Sequence, residues 1–71
     1  MTYELVVHKD GRFEINNSRR DKIVFQGSDD RIKTKAGDTY KYDSVRDLLG
    51  EICGWVSMAT FRRISKKLAA W

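Results

Sequence analysis

Tyr40-Lys41-Tyr42-Asp43-Ser44-Val45-Arg46-Asp47-Leu48-Leu49 is the stretch over which the chain changes its period. Up to Tyr42 the apolar residues alternate with polar ones. Beyond Ser44 they recur every three or four positions. Alternation marks strands with one buried face, and the longer spacing marks an amphipathic helix. Asp43 and Ser44 both suit the cap of that helix, because either side chain accepts a hydrogen bond from a free N–H of the first turn. Asp47 suits the positive end of the helix dipole. The switch predicts an α+β chain of one domain, residues 1–71, with a sheet part over 1–42 and a helical part over 43–71.

Towards the N-terminus, Tyr3, Leu5 and Val7 alternate with Glu4, Val6 and His8, and Phe13 and Ile15 with Arg12, Glu14 and Asn16. Asp10-Gly11 separates the two runs. A two-residue loop would set Val7 against Glu14. A three-residue loop, Lys9-Asp10-Gly11, sets Val7 against Phe13 and Leu5 against Ile15, which keeps one face apolar. It also puts Gly11 at the left-handed position of a bulged turn. The same logic, applied onward, alternates Ile23 and Phe25 with Lys22 and Val24. It opposes Phe25 to Ile32 across Gly27-Ser28-Asp29-Asp30, and Ile32 to Tyr40 across Lys35-Ala36-Gly37. The expectation is an antiparallel β-meander of four to five short strands. Its core face carries Tyr3, Leu5, Val7, Phe13, Ile15, Ile23, Phe25, Ile32, Tyr40 and Tyr42.

Towards the C-terminus, Val45, Leu48, Leu49, Ile52 and Val56 form one helical stripe, and Phe61, Ile64, Leu68 and Trp71 a second. Gly54 suits the closing residue of the first helix and Ser57 the cap of another. A sheet with one apolar face needs a cover. One or two C-terminal helices packed on that face supply it.

Several functions are disfavoured by composition. The chain has 71 residues, room for one small core. His8 is the only histidine, with no activating carboxylate beside it in sequence, and Cys53 is the only cysteine, read as a buried structural thiol. Asp29-Asp30 offers too few oxygens for calcium, and the five glycines form no phosphate-cradling loop. The reading is a non-enzymatic protein with no catalytic residues, no metal and no cofactor. Met1-Thr2-Tyr3-Glu4 lacks the basic-then-apolar build of a signal peptide, and no apolar run reaches the ~20 residues of a membrane span. These features predict a cytoplasmic protein without a membrane partner.

Charge is the positive signal. Fourteen basic residues against ten acidic give a net charge of +4. No acid follows Glu51, while Arg62-Arg63 and Lys66-Lys67 stand one helical turn apart, so their charges share one arc. Such an arc attracts phosphate backbones or an acidic protein. Arg12, Arg31, Lys33 and Lys41 are expected on the outer face of the sheet as a second basic surface. Trp55 and Trp71 are expected either to cover the edge of the core or, where exposed, to anchor a partner.

Cys53-Gly54-Trp55-Val56-Ser57-Met58-Ala59-Thr60-Phe61-Arg62-Arg63 resembles the turn and recognition-helix start of helix-turn-helix repressors. That resemblance implies Ser57 as the helix cap, Met58 and Ala59 against base edges, Thr60 against a phosphate, and Arg63 on a base or a phosphate. The chain departs from the family by one extra turn residue, Trp55, and by Gly50 where a small helix former is usual. Five strands followed by a helix also resemble small basic chromatin proteins with an SH3-like barrel, although their stacking aromatics would here lie on the core face. The whole pattern, a hairpin, further strands and a helix broken by glycine, resembles small phage anti-CRISPR proteins, which act by occluding a nuclease complex. Two functions follow. The first is nucleic-acid binding, DNA favoured, through Arg62, Arg63, Lys66 and Lys67. The alternative is a phage-encoded inhibitor or adaptor that docks on an acidic or nucleic-acid-binding protein complex. Either is compatible with a homodimer in a bacterial or phage-infected cell.

Overall fold

The computed structural model describes residues 2–17 and 22–69. Four strands, β1 (Tyr3–Val7), β2 (Arg12–Asn17), β3 (Lys22–Ser28) and β4 (Thr39–Tyr42), form one antiparallel sheet in the order β3-β2-β1-β4. A 3-10 helix, Asp30–Lys35, lies between β3 and β4. Two α-helices follow, α1 (Val45–Ile52) and α2 (Met58–Ala69). The architecture is α+β, with the helices C-terminal to the sheet. No helix among the described residues is long and apolar enough to cross a membrane.

The first hairpin has the register that keeps one face apolar. Val7 opposes Phe13 and Leu5 opposes Ile15. The His8 N–H donates to the Arg12 carbonyl at 2.8 Å and the Gly11 N–H to the His8 carbonyl at 3.0 Å. Gly11 has φ +93°, and a Cβ there would stand 2.9 Å from the Asp29 carbonyl oxygen. Gly11→Ala combines left-handed backbone strain with that clash. The expected cost is about 1–2 kcal/mol, read as a melting temperature lowered by roughly 5–15 °C.

The remainder of the sheet departs from a simple meander at two points. The first is the phase of β3. Ile15 opposes Phe25, but Asn16 opposes Ile23, so Val24 is the extra residue of a bulge. A bulge shifts the inside-outside alternation by one. Val24 is therefore buried, whereas Ile23, expected in the core, is 43% exposed. Phe25 stays on the inner side and stacks on Phe13, with ring centroids 5.7 Å apart. The second departure is Ile32. It reaches the core from the 3-10 helix and not from a strand. Asp29 starts that helix by accepting the Arg31 N–H at 2.9 Å. The helix packs against β1 and carries the chain from one edge of the sheet to the other. The Gly37 N–H then donates to the Val7 carbonyl, and β4 pairs with β1, setting Tyr40 against Leu5 and Tyr42 against Tyr3.

The helices cover the inner face. Ser44 caps α1, its Oγ accepting the Asp47 N–H at 3.1 Å. The helix ends at Ile52 without the left-handed closure expected of Gly54, since the described glycines with positive φ are Gly11 and Gly37. The chain instead turns through a Trp55 N–H to Ile52 carbonyl bond of 2.9 Å. Val56 is buried in that connection and not on the helix. Cys53, expected to be buried, is exposed, with its thiol directed at the Gly50 carbonyl. α2 packs on β3 and α1, and α1 on β4. Leu5, Phe13, Ile15, Ile32, Leu48, Ile52, Val56 and Ile64 are fully buried between the layers.

Candidate polyanion-binding surface

α2 owes its orientation to Ile64 and Leu68, both buried, and to Phe61, which packs beside them. At ~100° per residue this stripe leaves the opposite side of the helix in water. Lys67, Arg63, Lys66 and Arg62 follow one another around that side over about 140° of arc. All four are exposed. No ion pair or hydrogen bond joins any of them to another side chain among the described residues. No acid lies on α2, so nothing on the helix neutralises them.

The cations elsewhere are differently placed. Arg12 holds Asp10 at 2.7 Å and Lys33 holds Asp30 at 3.0 Å. Lys35 sits 4.8 Å above the Trp55 ring. Arg31 and Lys33 lie on the 3-10 helix and not on the sheet. Lys41 stands on β4 opposite Glu4. The second basic surface expected from Arg12, Arg31, Lys33 and Lys41 is thus split between elements and partly neutralised. Among the described residues, α2 is the element that presents cations as an uninterrupted group.

The start of α2 is built from inside the molecule. Ser57 caps the helix, its carbonyl accepting the Phe61 N–H at 2.9 Å and its Oγ the Thr60 N–H at 3.4 Å. The Ser57 hydroxyl donates to Thr60 Oγ1 at 3.1 Å. The Ser57 N–H donates to Asp29 Oδ2 at 2.9 Å, across 28 positions of sequence. Partial burial raises the Asp29 pKa, but bonds from the Ser57 N–H, the Thr60 hydroxyl and the Arg31 N–H outweigh it and hold the carboxyl below the usual carboxylate range. Asp29 therefore occupies, as an anion, the position at a helix N-terminus where a phosphate would otherwise sit.

Neither a known protein family, nor a curated protein, nor a solved structure matches this chain.

The surface has to be judged on its own geometry. The helix break that a helix-turn-helix unit requires is present between Ile52 and Met58. Ser57 and Thr60, however, spend their polar groups on Asp29 and on each other. A phosphate approaching them would meet a carboxylate. Met58 is 65% exposed and Ala59 is also exposed, so the two apolar positions of that start remain accessible. Trp55 is half-buried, edge-to-face with Tyr40 at 4.9 Å, and covers the margin of the core. Trp71 lies outside the described residues.

One pairing was not legible from neighbours in sequence. His8 Nε2 lies 2.9 Å from Glu14 Oε1 on the open face of the sheet. The hairpin register was the available signal, since it sets His8 and Glu14 diagonally across two strands. On the α1 side, burial and then the charges of Glu51 and Tyr40 push the Tyr42 hydroxyl up to about 12. Asp43, Asp47 and Glu51 belong to that side with the one base Arg46, whereas α2 carries four bases and no acid, so the helical layer is polarised. No cluster of three or more metal-ligating side chains occurs among the described residues.

Proposed function

We propose that this protein binds the sugar-phosphate backbone of nucleic acid, duplex DNA foremost, through the exposed arc of α2. The observation that carries this reading is the group of four exposed cations, Arg62, Arg63, Lys66 and Lys67, without an ion-pair partner among the described residues and on a helix whose other side is anchored in the core. A helix of this kind holds its charges at fixed spacing, so little order has to be imposed on binding. Arginine and lysine at the surface replace condensed counterions on DNA, and their release drives association. The engagement of Ser57 and Thr60 with Asp29 takes both out of contact with a phosphate, which leaves backbone contacts to Arg62, Arg63, Lys66 and Lys67. The protein acts in the cytoplasm and without catalysis.

Equilibrium titration of labelled duplexes tests the reading. Two duplexes of unrelated sequence are expected to bind with affinities within about threefold of one another, in the micromolar range typical of backbone contact. A preference of a hundredfold for one sequence would point to base readout, and absence of binding at low salt would exclude the proposal.

A further inference from the structure

The sheet has two edges, β4 and β3, and they are built differently. β4 has four residues and carries Lys41. β3 has seven, and no charge or proline occurs between Ile23 and Ser28. Natural sheets blunt their exposed edges with short strands, charges and prolines. From Ile23 onward β3 uses only the bulge at Val24. Beside it runs an open groove of about 520 Å³ lined by Ile23, Val24, Phe25, Gln26 and Lys67. Ile23 is 43% exposed and Gln26 is exposed, while Val24 and Phe25 close the groove towards the core. Among the described residues, Lys67 is the ionic group on its lining. It is also the member of the basic arc nearest the sheet, with Arg63 next to it around the helix.

We propose that the β3 edge takes up an extended acidic peptide segment of a protein partner as a fifth strand, with an acidic side chain of that segment meeting Lys67. In this mode main-chain hydrogen bonds supply the affinity and the side-chain lining supplies the choice of sequence. Charge decides the occupant. A second copy of this chain would bring its own Lys67 and α2 cations to the same edge, placing like charges together. An acidic strand instead brings opposite charge to Lys67, where a charge-assisted bond can form beside the strand pairing. The inference is independent of the polyanion reading, because it uses the edge and the groove, and only Lys67 is common to both.

The test is a selection from a random peptide library on the intact protein, followed by synthesis of the selected peptides. They are expected to be acidic and rich in β-branched residues, and to protect β3 amides within Ile23–Gln26 from hydrogen exchange. Methylating the peptide nitrogens at alternate positions should abolish binding in one phase and leave it within about threefold in the other, since only every second N–H faces the edge. Lys67→Glu should weaken binding about tenfold or more. Lys41→Glu, with the same change in net charge at the opposite edge, should not. Selected peptides without acid bias, protection away from β3, equal tolerance of both methylation phases, or failure to select any peptide would each overturn the proposal. So would a peptide-free dimer paired through β3, or a duplex DNA footprint on Ile23–Gln26.

Discussion

Reversing all four α2 cations, with Arg62→Glu, Arg63→Glu, Lys66→Glu and Lys67→Glu in one chain, is expected to abolish duplex binding, weakening it by about a thousandfold or more. Each change subtracts two charges, which takes the formal net charge from +4 to −4. Attraction to the phosphates becomes repulsion, and the counterion release that drives binding is lost. The substitutions leave Ile64 and Leu68 in place, so the packing of α2 on β3 and α1 is retained. Lys66→Glu and Lys67→Glu do place acids in the last turn of a helix, where the dipole disfavours them by about 0.3–1 kcal/mol each. The four-glutamine variant removes that complication. It should keep the fold and lose most of the affinity without creating repulsion. Fluorescence anisotropy with a labelled duplex measures both, and circular dichroism checks the helix. Undiminished binding by either folded variant would place the site elsewhere.

Asp29→Ala is the second large effect, and it falls on stability. Asp29 accepts the Arg31 N–H that starts the 3-10 helix and the Ser57 N–H that precedes α2. Hydrogen bonds to a charged acceptor contribute about 1.5–3 kcal/mol each, reduced here because water reaches the site. A loss of about 2–3 kcal/mol is expected. A domain of this length has only about 4–10 kcal/mol in total, so the melting temperature should fall by roughly 10–20 °C. Asp29→Asn keeps one acceptor oxygen and should lose about half as much. The pH dependence has a definite sign. The folded-state pKa of Asp29 is depressed below its ordinary value of 3.8, so its contribution is present in full above that value and is lost as pH falls through the folded pKa. Urea unfolding at pH 7 and at pH 3 should show the difference between wild type and Asp29→Ala shrinking at the lower pH. A difference that stayed constant would mean that Asp29 acts through packing and not as an anion.

Those two residues groups also mark what the sequence could and could not reveal. The exposed arc of Arg62, Arg63, Lys66 and Lys67 was legible because it is local. One helix carries all four, and its apolar stripe fixes which way they face. The first hairpin was legible for a similar reason, since Gly11 and the matched apolar positions admit one register. Beyond Asn17 the alternation of Ile23 and Phe25 misled, because a bulge at Val24 changes the phase and no turn residue announces it. Ile32 looked like a strand residue because one buried side chain in six has no period to read. The 3-10 helix and the pairing of β4 with β1 depend on Asp29 meeting Gly11 and on Gly37 meeting Val7 in space. The loss of Ser57 and Thr60 as free contacts has the same origin, because their partner Asp29 lies in another element. The protein-docking alternative gains its own surface from this topology, since β3 becomes an edge only when β4 is placed beside β1.

The salt dependence of duplex binding tests most directly whether α2 binds phosphates by charge. Four phosphate contacts predict a slope of about −3.6 for the logarithm of the binding constant against the logarithm of salt concentration. That slope corresponds to a weakening of about 150-fold between 50 and 200 mM salt. A slope near zero, or a slope unchanged by removing the four cations, would mean that α2 does not hold phosphates by charge.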